Sequence, residues 1–120
     1  MTTVLIVEDE AFTIEILSAI LKRRGHDVLV ANNGAEGVAN ARKNKPDLVI
    51  MDMSMPGMNG WEAIRQLKGA ADTKAIPIIA LTSMTTAEDR DEAYSAGCDA
   101  YEAKPIDVQR LEERIKELIG

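Results

Sequence analysis

The sequence has little with which to brace itself covalently. Its 120 residues include a single cysteine, Cys98, which excludes an internal disulfide and points to a reducing compartment. One cysteine and one histidine, His26, form no thiolate or imidazole cluster, so zinc has no ligand set. Cationic excess is missing too: 14 lysines and arginines stand against 20 acids, a formal net charge of -6. Non-specific attachment to nucleic acid or to an anionic lipid surface is therefore disfavoured. The longest apolar runs are about six residues, far short of the ~20 that cross a bilayer. The start Met1-Thr2-Thr3 shows no basic segment, long apolar core or cleavage motif of a secretory leader. A cytoplasmic protein with an acidic surface and no direct nucleic-acid or membrane contact is expected. Neither an internal repeat nor a glycine-rich phosphate loop is visible.

What is present suits one compact unit. Hydrophobic residues make up 46% and charged residues 28%, and at this length roughly two-thirds of the unfolded surface can be buried. A single domain over residues 1–120 is expected, with no room for a separate output domain. Val4-Leu5-Ile6-Val7 and Leu48-Val49-Ile50-Met51 are unbroken apolar tetrads, and Ile76 to Leu81 is similar apart from Pro77 near its start. Such runs, without alternation, read as strands buried on both faces of a parallel sheet. Val28 to Ala31 is a weaker strand, and Cys98 to Ala103 is placed mainly by its position in the order.

Helical patterns separate these strands. Ala11 to Arg24 carries Phe12, Ile16 and Ile20 on one stripe with Leu17 and Leu21 beside it, and Gly25 stops it. Asn33 with Glu36, Asn59 with Glu62 and Thr85 with Glu88 each have the spacing of a capping box. They open helices holding Val38 and Ala39, then Ile64 and Leu67, then a segment ending near Ala96 before Gly97. A last helix after Asp107 is expected to bury Val108, Leu111, Ile115 and Leu118. The β-α order, five times over, predicts an α/β fold: an open five-stranded parallel sheet of flavodoxin-like order 2-1-3-4-5 with helices on both faces.

In such a sheet, ligands sit beyond the carboxyl ends of the strands. Glu8 and Asp9 follow the first tetrad, Asp52 the third strand, Thr82 the fourth and Lys104 the fifth. Converging carboxylates repel one another unless a cation compensates, and oxygen ligands of this kind suit Mg²⁺. A carboxylate held there can also act as a nucleophile toward phosphorus. Singly, each residue is equally well a helix cap, a loop acid or a solvent-facing lysine; together, after four of five strands, they point to a site.

The stretches Val4-Leu5-Ile6-Val7-Glu8-Asp9, Pro46 to Asp52, Met55-Pro56-Gly57-Met58-Asn59-Gly60, Ile78-Ile79-Ala80-Leu81-Thr82 and Lys104-Pro105 together carry a family pattern. So do the intervals of 43, 30 and 22 residues between Asp9, Asp52, Thr82 and Lys104. From end to end the chain resembles the receiver domain of bacterial two-component response regulators, of the stand-alone type. The resemblance implies phosphorylation of Asp52 from a sensor histidine kinase or a histidine phosphotransfer protein. It implies Mg²⁺ held by Asp9, Asp52, Glu8 and the carbonyl of Ser54, with Thr82 and Lys104 contacting the phosphoryl group. Tyr101 matches the aromatic switch position, and Lys104-Pro105 is expected to be cis. The implied readout surface is the helix ending near Ala96, the strand of Tyr101 and the last helix, which would dock a downstream target protein. Oligomeric state is left open.

Three alternatives stand beside this reading: a receiver excised from a hybrid kinase or transcription factor, an adaptor indifferent to phosphate, and a Mg²⁺-dependent phosphatase. The receiver reading makes the chain a catalyst of its own phosphoryl transfer and slow self-dephosphorylation rather than a turnover enzyme. Glu102 departs from the apolar residue usual beside the aromatic and is expected to face solvent. His26 reads as a turn residue, Cys98 as a small core residue, and Glu88, Asp89, Asp91 and Glu92 as either a solvated helix face or a partner-recognition patch. Ser54 and Met84, two residues beyond Asp52 and Thr82, orient no attacking water, and Met84 is expected to shield the site. Met84→Ala should therefore accelerate phosphate release from the phosphorylated protein; an unchanged rate would exclude shielding.

Overall fold

In a computed structural model describing residues 2–53, 60–83 and 87–119, apart from the Asp89 side chain, strands and helices alternate throughout. The elements are β1 (Thr3–Val7), α1 (Ala11–Arg23), β2 (Asp27–Ala31), α2 (Gly34–Asn44), β3 (Leu48–Asp52), α3 (Gly60–Gly69), β4 (Ile78–Thr82), α4 (Ala87–Ala96), β5 (Ala100–Ala103) and α5 (Val108–Ile119). The strands form one parallel sheet in the order β2-β1-β3-β4-β5. Asn59, Thr85, Ser54 and Met84, singled out above, lie outside the described residues.

The apolar runs of β3 and β4 are buried along their whole length, and β1 is buried from Val4 onward. Side chains alternate between two cores, as strand geometry requires. Leu5, Val7, Val49, Met51, Ile78 and Ala80 pack with Val38 of α2, Ile64 and Leu67 of α3 and Ala93 of α4. Val4, Ile6, Leu48, Ile50, Ile79 and Leu81 pack with Leu17 and Leu21 of α1 and Leu111 and Ile115 of α5. Each fully buried aliphatic side chain contributes about 1.5–3 kcal/mol, so these two layers hold the strand ends in register. The edge strand β2 is only partly covered, with Val30 exposed, which accounts for its weaker pattern.

Local boundaries follow from backbone hydrogen bonding. The Asn33–Glu36 capping box forms: the Glu36 N–H donates to Asn33 Oδ1 at 2.9 Å. Gly25 (φ +85°) and Gly97 (φ +113°) follow α1 and α4 in a backbone region that disfavours side chains. The fourth strand begins at Ile78 rather than Ile76, just after Pro77, whose carbonyl accepts from the Val49 N–H. The fifth begins at Ala100 rather than Cys98, because the Cys98 N–H donates back to Ala93 in α4. Asp99 accepts from the Ile78 N–H at 2.8 Å and pairs with Lys68 at 2.8 Å.

Three expected core residues are exposed. Phe12 lies nine residues before Leu21, two and a half helical turns, and so points away from the buried side of α1; it is 69% exposed. Ala39 falls outside the buried stripe Gly34, Gly37, Val38 and Ala41 of α2. Val108, the first residue of α5, sits in an apolar cleft with Phe12 and Ile106.

Gly37 has a specific reason to be glycine. A Cβ there would meet both methyl carbons of Val7 at 2.8 and 2.9 Å, and Val7 is fully buried on β1. Gly37→Ala gains about 1 kcal/mol of helix propensity. It should nevertheless lower stability by about 1–3 kcal/mol through overpacking, read from urea unfolding. Unchanged or greater stability would show that α2 can lift from β1 without cost.

Candidate functional site

Parallel strands all present their carboxyl ends at one edge. Val7 is in register with Met51, which places Glu8 and Asp9, just beyond β1, level with Asp52 at the end of β3. Thr82 ends β4 beside Leu81, the register partner of Asp52. Its carbonyl accepts from the Lys104 N–H at 2.8 Å, tying β5's exit to the same edge. The Lys104 ammonium lies 3.2 Å from Asp52 Oδ1 and 3.3 Å from Glu8 Oε2. One oxygen from each of Glu8, Asp9 and Asp52 lies within 4.8 Å of the others. Glu8, Asp52 and Thr82 are buried, whereas Asp9 is exposed at the mouth. The Lys104-Pro105 peptide is cis.

Burial, followed by the negative charge of Asp52, pushes the Glu8 carboxyl up from 4.5 to about 7, despite the nearby ammonium. For Lys104, burial opposes the charge, but Asp52 and Glu8 outweigh it and hold the pKa above its ordinary value. One ammonium against three carboxylates leaves a negative excess suited to a hard divalent cation. Opposite oxygens on one Mg²⁺ lie about 4.2 Å apart, so the observed spread is within side-chain adjustment and the donor set fits.

One supporting contact has no counterpart in the sequence reading. The Glu10 N–H donates to Glu8 Oε1 at 3.2 Å, and the Thr13 hydroxyl donates to the Glu10 carboxylate. The first turn of α1 thereby holds Glu8 in place; the acidic run Glu8-Asp9-Glu10 was its only trace in the sequence.

Tyr101 is half-buried on the α4 side of β5, its ring 6.5 Å from that of Tyr94. Glu102, expected to face solvent, is instead buried at 6% exposure. It shares a strand face with Ala100 beneath α5, where Arg114 and Arg110, one turn apart, pair with it at 3.1 and 3.5 Å. Cys98 is buried, and desolvation, then the charge of Asp99, push its thiol up to about 11, which suits an inert core residue. His26 follows the turn after α1 and hydrogen-bonds Thr2. Glu88, Asp91 and Glu92 are exposed on α4, with Glu92 3.8 Å from Arg65.

The response regulator receiver domain profile matches residues 4–116. The chain belongs to that family. This receiver is 42% identical over 120 residues to protein PilH of Pseudomonas aeruginosa, across all of this chain and 99% of that protein. It is 34% identical over 118 residues to the polar-differentiation response regulator DivK of Brucella anthropi, across 98% and 96% of the two chains. It also superposes on the receiver domain of a sensor histidine kinase from Pseudomonas aeruginosa with a TM-score of 0.91 and 29% identity, across 99% and 98% of the chains. That structure has a magnesium ion coordinated in its active-site cleft. Among the described residues of this receiver, no helix is long and apolar enough to cross a membrane.

The raised Glu8 pKa has a signed consequence for the metal-free receiver. Because the folded value lies above the unfolded one, the contribution of Glu8 to stability is complete below about pH 4.5 and lost as pH rises through about 7. Glu8→Gln, which cannot ionise, should show a smaller fall in Tm between pH 5 and pH 8 in chelator. Matching pH profiles would refute the assignment.

Proposed function

We propose that this receiver is the phosphoacceptor of a two-component phosphorelay, modified on Asp52 and signalling by docking to another protein. The observation that carries the proposal is the buried Asp52 carboxylate, 3.2 Å from the Lys104 ammonium and clustered with Glu8 and Asp9. An Asp52 oxygen attacks phosphorus as the bond from phosphorus to the donor's histidine nitrogen breaks, and the released imidazole retains the electron pair. Lys104 balances charge on the transferred group, and the Thr82 hydroxyl donates to one of its oxygens. Glu8, Asp9, Asp52 and the Ser54 carbonyl are the proposed Mg²⁺ ligands. Bound there, the ion would neutralise phosphoryl charge.

Phosphorylation adds roughly -1.5 to -2 charges and three strong acceptors. A shift of Thr82 toward them opens space for Tyr101 to turn inward, biasing a two-state equilibrium rather than creating a new state. The donor is a sensor histidine kinase or a histidine phosphotransfer protein, and the setting is cytoplasmic. The apolar cleft of Phe12, Ile106 and Val108 also includes Lys104, so a protein carrying a phosphohistidine to Asp52 covers it on approach. The domain comprises residues 1–120.

Incubation with acetyl phosphate and Mg²⁺, followed by intact mass, should show a labile gain of one phosphoryl group that Asp52→Ala lacks. Chelator should abolish the gain, and Mg²⁺ alone should change Trp61 fluorescence. Persistent labelling of the Asp52→Ala protein, or none of the parent, overturns the assignment. Multiple turnover of a soluble phosphate ester would favour an enzyme.

A further inference from the structure

A polar residue stands on the buried stripe of α1. Thr13 lies one helical turn before Leu17 and is only 6% exposed, so an apolar side chain would suit the packing as well. Its hydroxyl donates to the Glu10 carboxylate. Glu10 occupies the N-cap of α1, where a polar side chain commonly accepts a backbone N–H of the first turn. Its own side chain makes no such bond among the described residues. The acid is turned to Thr13 instead. Glu10 is thus tied to the helix twice, because its carbonyl also accepts from the Ile14 N–H at 3.0 Å.

This double tie bears on Glu8. The Glu10 N–H donates to Glu8 Oε1 at 3.2 Å, while the Lys104 ammonium lies 3.3 Å from Glu8 Oε2. One oxygen is held from α1 and the other from the exit of β5, and Glu10, Thr13 and Lys104 line one cleft. A carboxylate held at both oxygens has little freedom to follow an ion. Mg²⁺ demands near-ideal octahedral geometry, whereas Ca²⁺ takes its oxygens in flexible arrangements. Loosening one acid therefore costs Mg²⁺ more than Ca²⁺.

We propose that Thr13 and Glu10 are positioning residues of the metal site, a latch that holds Glu8 in place and sharpens the preference for Mg²⁺ over Ca²⁺. The inference rests on the phosphoacceptor reading and deepens it, tracing cation choice to two side chains outside the proposed ligand set. If the pair served only to strengthen the start of α1, its loss would lower stability and leave the relative affinity for the two cations as it was.

Titration of the ¹⁵N-labelled protein with Mg²⁺ and, separately, Ca²⁺, followed by amide resonances, tests this. Thr13→Val, which removes the donor at similar volume, should lower Mg²⁺ affinity about tenfold relative to Ca²⁺ affinity. Glu10→Ala, at an exposed position, should do the same. Thr13→Ser and Glu10→Gln keep the donor and the acceptor and should hold the parent ratio. A ratio unchanged in both Thr13→Val and Glu10→Ala, or lost equally in the conservative pair, overturns the proposal. The amide spectrum verifies the fold of each variant. Acetyl phosphate labelling of the parent separates the two readings: Mg²⁺ binding and labelling with no change of ratio in the variants remove only the latch. A parent that neither responds to Mg²⁺ nor becomes labelled removes the phosphoacceptor and the latch together.

Discussion

The ammonium of Lys104, placed between the carboxylates of Glu8 and Asp52, is the contact on which the site depends. Without it, two buried acids would face each other with only water or metal to offset their repulsion. Its position is a product of sheet topology: the chain leaves β5 directly after its backbone N–H bonds Thr82, and β4, β3 and β1 deliver the rest of the cluster to the same edge. The core contributes nothing chemical to this arrangement. It holds the backbone still enough that a single cation and three acids stay within a few ångströms.

The same constraint explains why one side chain of the cluster differs from its neighbours. Glu8 is sealed from solvent, tethered by Glu10 and shifted toward protonation, whereas Asp9 sits at the opening. Two adjacent acids thus occupy different dielectric surroundings. Their division of labour is set by a one-residue step along the chain leaving β1, which carries one carboxylate inward and the other out.

Much of this was legible in the sequence because the relevant signals are local or periodic. Unbroken apolar runs marked β1, β3 and β4, and the residues following each run marked the site; the strand order was the natural one for five β-α units in an open sheet, and the cis Lys104-Pro105 bond came from resemblance. What escaped was decided by tertiary placement. Phe12 looked like core because a stripe was drawn through Ile16 and Ile20, yet the true buried face is centred on Leu17 and Leu21. Glu102 looked solvated because isolated carboxylates usually are. Only the folded β5 shows it beneath a helix whose two arginines, spaced one turn apart, reach it. The Glu10 tether depends on how the first turn of α1 meets the strand exit, which no short-range pattern encodes.

The ionic seat under α5 bears on inheritance. Changing Glu102 alone would leave Arg110 solvated and Arg114 with Glu117, whereas changing one arginine would leave the buried carboxylate half-compensated. Replacing all three with well-matched aliphatic residues would meet no such obstacle. Selection therefore meets a one-way dependence: descendants of this chain that lose either arginine should already have lost Glu102, while the arginines can outlast it.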